Sequence, residues 1–223
     1  MGAAARRGVL LDVDGTLIDS SYLHTVAWFR ALRDHGSIEP MARLHRLVGM
    51  GADMYTKAVA GEERQDLADS HSRRIKELRS DMVGLPGAGE LIRRIHAAGL
   101  EVVLSTSASP DDVDSFMRML GVEGLIDSMA TGEDVAHTKP APDVVAVALE
   151  KSGLNSENAV FVGDTRWDVE AAGRAGVPCI AVESGGWAPD ELREAGAVAV
   201  YKDPGELAAR FDESPLGELA RRA

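Results

Sequence analysis

Cysteine is nearly absent from this 223-residue sequence, where Cys179 stands alone. No intramolecular disulfide is possible, and a reducing compartment fits. Cys179 lies in the apolar run 177–182, where a buried structural thiol is expected rather than a nucleophile. Positive charge is also in deficit: 24 Lys and Arg face 36 Asp and Glu, a formal net charge of −12. That balance argues against nucleic acid or an anionic membrane as the main partner. A small anionic substrate stays open, because a local lysine, a helix N-terminus or a metal can outweigh the acidic bulk. No apolar run approaches the length of a membrane-spanning helix. The stretch 1–8 lacks a hydrophobic leader region and has no Ser or Thr at position 6 for myristoylation. A cytoplasmic, soluble protein is the expectation.

Hydrophobic residues make up 45% and charged residues 27%, the composition of a globular enzyme of one domain, or of one domain carrying a smaller insertion. The chain is organised around residues 9–19. An apolar, β-branched run at 9–13 reads as a buried strand, and it ends on Asp12, Asp14, Gly15 and Thr16. Two carboxylates so close repel unless a cation sits between them, and a hard ion such as Mg²⁺ is the natural candidate.

From 20 to 82 the spacing is helical throughout: about 20–36, 41–48, 54–60 and 64–78, with breaks at Gly49, Met50, Gly51 and Gly61. That helical block, bracketed by strand-type sequence, predicts an inserted helical subdomain over 20–82 with the main domain formed by 1–19 and 83–223. After Gly87 the rhythm alternates. Helices are predicted at 88–98, 110–121, 142–152, 168–175 and 204–211, and strands at 101–105, 159–162, 179–182 and 197–201. Such alternation implies parallel βαβ units, an α/β fold with ligands bound at the strand carboxyl ends.

Chemistry-bearing residues fall at those ends. Thr106 and Ser107 follow one strand and run into a helix N-terminus, a setting that suits phosphate. Lys139 precedes a helix, with Pro140 expected to hold its backbone extended. Asp164 follows another strand, and Asp168 comes four residues later. Singly, each has a plain structural explanation as a cap, a turn or a solvated charge. Their order and common placement carry the functional reading.

With these residues in view, the sequence resembles the haloacid dehalogenase-like hydrolase superfamily along essentially its whole length. Asp12 to Thr16 resembles its first motif, Thr106 and Ser107 its second, Lys139 and Pro140 its third, and Gly163, Asp164 and Asp168 its fourth. The resemblance implies a Rossmann-like doubly wound core with a helical cap at 20–82. Asp12 would be the nucleophile and form an aspartyl-phosphate, and Asp14 the general acid and base. Thr106, Ser107 and Lys139 would bind the phosphoryl group. Mg²⁺ would be held by Asp12, the Asp14 carbonyl and Asp164, with Asp168 acting through water or by orienting other groups.

An acid at position 14 favours a phosphatase or phosphomutase over a dehalogenase, since a halide leaves without a proton. Ser20, His24 and Trp28 resemble the cap of the β-phosphoglucomutase-like branch, where the matching histidine couples cap closure to the general acid. Gly49, Met50 and Gly51 are the expected specificity loop, but Ala52 or Asp53 stands where that branch places a phosphate-binding Arg. A phosphatase acting on a small phosphorylated metabolite is therefore the primary expectation, with a phosphomutase as alternative. A phospho-aspartate signalling module is the alternative of another class. Arg43, Arg46, Lys57 and Lys76 are the cap's candidates for a distal substrate anion.

Overall fold

The computed structural model describes residues 6–135 and 137–222. The expectation drawn from the N-terminal stretch therefore lies, at residues 1–5, outside the described residues.

The main sheet is six-stranded and parallel. Its strands are β1 (Gly8–Leu11), β4 (Glu101–Ser105), β5 (Ser128–Ala130), β6 (Ala159–Gly163), β7 (Cys179–Val182) and β8 (Ala199–Tyr201), in the order β5-β4-β1-β6-β7-β8. The strands alternate their side chains between two apolar layers. Val9, Leu11, Val102, Leu104, Val160, Val162, Ile180 and Val182 pack on one face, and Leu10, Val103, Phe161, Cys179 and Ala181 on the other. Both layers are dry, which is why these strands read as continuous apolar runs. Each such Leu, Ile, Val or Phe contributes about 1.5–3 kcal/mol by leaving water.

One layer is closed by α5 (Ala88–Ala97), α6 (Pro110–Leu120), α10 (Pro204–Ala209) and α11 (Pro215–Arg221). The other is closed by α7 (Asp143–Ser152), α8 (Arg166–Arg174) and α9 (Pro189–Glu194). From β1 the chain runs outward to β4 and β5 on one side and to β6, β7 and β8 on the other. The order thus reverses at β1, the position where open α/β sheets form a crevice beyond their carboxyl ends.

The block 20–82 holds α1 (Ser21–Asp34), α2 (Met41–His45), α3 (Ala52–Ala60) and α4 (Gln65–Glu77). It has its own apolar core of Trp28, Leu32, Leu44, Val48, Tyr55 and Leu67. Trp28 stacks on Tyr55 with ring centroids 4.0 Å apart, and the Tyr55 hydroxyl donates to the Leu44 carbonyl at 3.0 Å. The two crossings into and out of this block pair as a short antiparallel ribbon, β2 (Ile18–Asp19) with β3 (Val83–Gly84). These two-residue strands carry no period, so the sequence pattern does not reveal them; β5, α9 and α11 are likewise too short to stand out.

Candidate active site

β1 ends at Leu11, two residues earlier than expected, so Asp12 and Asp14 both lie beyond the strand. The Asp12 amide still donates to Val162 at 2.9 Å, which pins the residue to the end of β6. Lys139 reaches it from the loop before α7, its Nζ donating to Asp12 Oδ1 at 2.6 Å and lying 2.7 Å from Asp168 Oδ1. The Lys139–Pro140 peptide that carries it is cis. All three side chains are buried.

Asp168 is held by a capping box at the start of α8. Its Oδ2 accepts from the Thr165 amide at 3.0 Å and the Thr165 hydroxyl at 2.6 Å. This satisfies exposed helix N–H groups and leaves Oδ1 for Lys139. The threonine-to-acid spacing from 165 to 168 was a signal for this box in the sequence.

Asp164 follows β6 and is completely buried. Thr16 donates to its Oδ1 at 3.0 Å, while Oδ2 has no hydrogen-bond partner among the described residues. Backbone closes around that oxygen: a Cβ added at Gly15 or Gly185 would come within 2.3 or 1.7 Å of it. Carboxylate oxygens of Asp12, Asp164 and Asp168 all lie within 4.8 Å of one another. Burial, then the neighbouring acids, raise Asp164 well above its ordinary value. Burial lifts Asp12 to about 7, against the pull of Lys139. Burial also opposes the Lys139 charge, but Asp12 and Asp168 outweigh it and raise Lys139 further. Three acids facing one lysine form a site short of positive charge. A hard divalent cation with oxygen ligands fits that deficit and the orphaned Asp164 Oδ2.

The tightest cluster of acids joins Asp12 to Asp164 and Asp168, while Asp14 shares the cavity with Asp12 but has other partners. The Asp14 carboxylate is held by the helical block, where Ser20 Oγ donates to it at 2.6 Å and His24 Nε2 lies 3.3 Å away. His24 Nδ1 in turn lies 3.2 Å from His71 Nε2 on α4, and His71 stacks on Trp28 at 4.1 Å. Burial raises the Asp14 carboxyl, but His24 and Ser20 together hold it below its ordinary value. Burial pushes His71 well down, so its imidazole is neutral. His71 gave no signal in the sequence, since its partner is 47 positions away.

Asp12, Asp14, His24, Ser107 and Lys139 line one cavity of about 380 Å³ between the sheet and the helical block, together with Gly49, Met50 and Gly51. Thr106 is fully buried under this wall, its Oγ1 accepting from the Ala108 amide at 3.0 Å. The loop with Gly49 and Gly51 presses so closely on the core that a Cβ at Gly51 would sit 2.1 Å from Thr138 and one at Gly49 2.8 Å from Thr165.

The helical block is also clasped from outside the cavity. His45 Nε2 lies 2.9 Å from the Gly185 carbonyl, and Arg46 stacks 3.5 Å over Trp187 while pairing with Glu191. Trp167 Nε1 donates to the Arg46 carbonyl at 3.2 Å, and Thr138 donates to Asp53. No helix among the described residues is long and apolar enough to cross a membrane.

Comparison with known proteins agrees with this geometry. Residues 9–182 match the family model described as haloacid dehalogenase-like hydrolase. A phosphoglycolate phosphatase of Yersinia pestis is 31% identical over 193 residues, covering 81% of this chain and 82% of that protein. A hydrolase from Pseudomonas syringae superposes with a TM-score of 0.86 at 31% identity, over 93% of this chain and 99% of that one. CbbY from Rhodobacter sphaeroides, solved with phosphate, gives a TM-score of 0.74 at 25% identity, over 91% and 96%. With the four motif segments converging at the carboxyl ends of a doubly wound sheet, the chain belongs to the haloacid dehalogenase-like hydrolase family.

Proposed function

We propose that this chain is a Mg²⁺-dependent phosphatase that hydrolyses a small phosphate monoester through a phosphorylated Asp12, with residues 20–82 acting as its cap. The observation that carries the reading is the buried Lys139 ammonium 2.6 Å from Asp12 Oδ1, beside two further buried acids and on the wall of a cavity of about 380 Å³. Aspartate is a competent nucleophile when it is ionised and aimed, and Lys139 supports both conditions. Asp12, Asp164 and the Asp14 carbonyl would hold Mg²⁺, with Asp168 orienting Lys139; the bound ion would neutralise charge on the phosphoryl oxygens.

In the first step an Asp12 oxygen bonds to phosphorus, the ester P–O bond breaks, and Asp14 gives its proton to the departing alkoxide. In the second, water attacks the phosphorus of the aspartyl-phosphate. Asp14 takes the water proton, Asp12 leaves as carboxylate, and inorganic phosphate is released. Free Asp14 is ionised, because His24 and Ser20 hold its proton affinity down. The negative charge of an arriving phosphate ester raises that affinity and loads the proton the first step needs. Proton transfer of this kind is worth about 10²–10⁴-fold. Ser107 on the cavity wall and Thr106 beneath it frame the phosphoryl pocket.

Phosphoglycolate is the first substrate to try, on the strength of the Yersinia relative. The phosphomutase alternative is weaker, because Asp53, which lies in the first turn of α3 and accepts from Thr138, stands where that branch places a phosphate-binding cation. A cytoplasmic setting suits the lone buried thiol.

The deciding assay is phosphate release from 2-phosphoglycolate, sugar phosphates and nucleotides, with Mg²⁺ or EDTA, alongside Asp12→Asn. Steady turnover lost in EDTA and in the variant supports the reading and excludes a signalling module. Turnover that survives Asp12→Asn sinks the covalent route, and a stable phospho-Asp12 without phosphate release moves the assignment to the mutase.

A further inference from the structure

Of the four basic residues that the sequence offered for a distal anion, three are engaged or misplaced. Arg43 pairs with Glu39 at 2.6 Å and donates to the Ala58 carbonyl at 3.1 Å. Arg46 pairs with Glu191 on the outer clasp. Lys57 is not on the cavity wall. Lys76 alone of the four faces the cavity that holds Asp12.

The cavity wall supplied by α4 and the turn after it consists of His71, Ser72, Ile75, Lys76 and Arg79, one face of a helix at period 3.6. Arg79 is taken by Asp112, and Lys139 by Asp12 and Asp168. The acid next to Lys76, Glu77, turns to Arg74. Among the described residues Lys76 has no carboxylate partner, and Ser72, one turn before it, places a hydroxyl on the same face. A lysine in a last helical turn also complements the helix dipole. That role does not require Lys76, solvent-exposed like Ser72, to line the cavity whose other walls include Trp28, Met82 and Phe116.

Building on the phosphatase reading, we infer that Lys76, with Ser72, forms a subsite for a second anionic group at the far end of the substrate, so that the enzyme selects phosphate monoesters bearing a carboxylate or another phosphate over neutral-tailed ones. The phosphoryl end uses Lys139, the acids and the Ser107 loop, which leaves Lys76 as the cation free to balance the tail.

The test compares wild type, Lys76→Met and Lys76→Arg with Mg²⁺ on 2-phosphoglycolate, a pentulose 1,5-bisphosphate and ethyl phosphate. Wild type should prefer the anionic-tailed esters. Lys76→Met should erode that preference by about 10- to 100-fold in kcat/KM, the size expected for a charge-assisted contact, mostly through KM, and Lys76→Arg should restore part of it. Loss shared between carboxylate and phosphate tails marks one general anion site; loss for one alone names the tail. Binding of the same three esters to Asp12→Asn, with and without Lys76→Met, is measured by calorimetry. That readout needs no turnover, so a failed phosphatase reading and a failed subsite are told apart. A preference unchanged by Lys76→Met in both measurements, or a wild type that favours ethyl phosphate, overturns the inference.

Discussion

Replacing the proposed nucleophile should make the metal-free protein more stable. A rise in Asp12 from 3.8 to about 7 means that the ionised carboxylate is about 4 kcal/mol harder to hold in the folded chain than in the unfolded one. The sign follows from proton counting. Below pH 3.8 the carboxyl is protonated in both states, so it contributes no difference. Between 3.8 and about 7 the folded chain binds more protons than the unfolded chain, so stability falls as pH rises; above 7 the loss is complete. Asn mimics the protonated side chain and carries no such penalty, and Lys139 keeps Asp168 as its partner at 2.7 Å. Asp12→Asn should therefore gain about 2–4 kcal/mol over wild type at pH 8 in EDTA and little at pH 4.5. Urea unfolding at the two pH values reads this directly. Mg²⁺ at about 100 times its Kd adds about 2.7 kcal/mol to wild type and less to the variant, which narrows the gap. A variant less stable than wild type at pH 8, or a gap of equal size at both pH values, would refute the electrostatic account of this cluster.

Lys139→Met leaves Asp12 and Asp168 without their cation, close to the buried Asp164, and the loss of one member of a buried pair should cost about 3–5 kcal/mol in EDTA, read as a lower midpoint in urea. Phosphate release by the same variant should drop by at least about 10²-fold. Gly185→Ala drives a Cβ into Asp164 Oδ2, so the Mg²⁺ concentration for half-maximal activity should rise by about 10- to 100-fold; an unchanged requirement would exclude Asp164 from metal binding. Arg46→Ala removes the stack on Trp187 and the half-exposed pair with Glu191, about 1 kcal/mol together, and should raise KM severalfold while altering Trp187 emission. Identical emission and KM would show that this clasp does not hold the helical block closed.

The acids of the candidate site were legible because their spacing is local. Asp12 and Asp14 are two positions apart, Asp164 and Asp168 four, and each set sits where an apolar strand run stops. Strands buried on both faces and helices at period 3.6 give strong patterns, so the parallel sheet and the helical block could be read from spacing alone. What spacing could not supply is direction. Asp12 and Asp14 look like the crowded pair, yet one carboxylate meets Lys139 and the other Ser20 and His24. Nor could it sort four similar cap cations, because Arg43, Arg46 and Lys76 differ only in what the fold sets beside them.

The sequence by itself determined the α/β class, the alternation of elements and the set of candidate site side chains, since those follow from period and from the residues that end each strand. Only the tertiary structure decided that three acids cluster around one buried lysine that pairs with two of them, that His71 stands behind His24, and that Lys76 lines the cavity with no carboxylate partner among the described residues. These contacts join residues 29 to 156 positions apart in the chain or depend on which way a helix face turns. They arise from the packing of the helical block on the sheet, which no local pattern encodes.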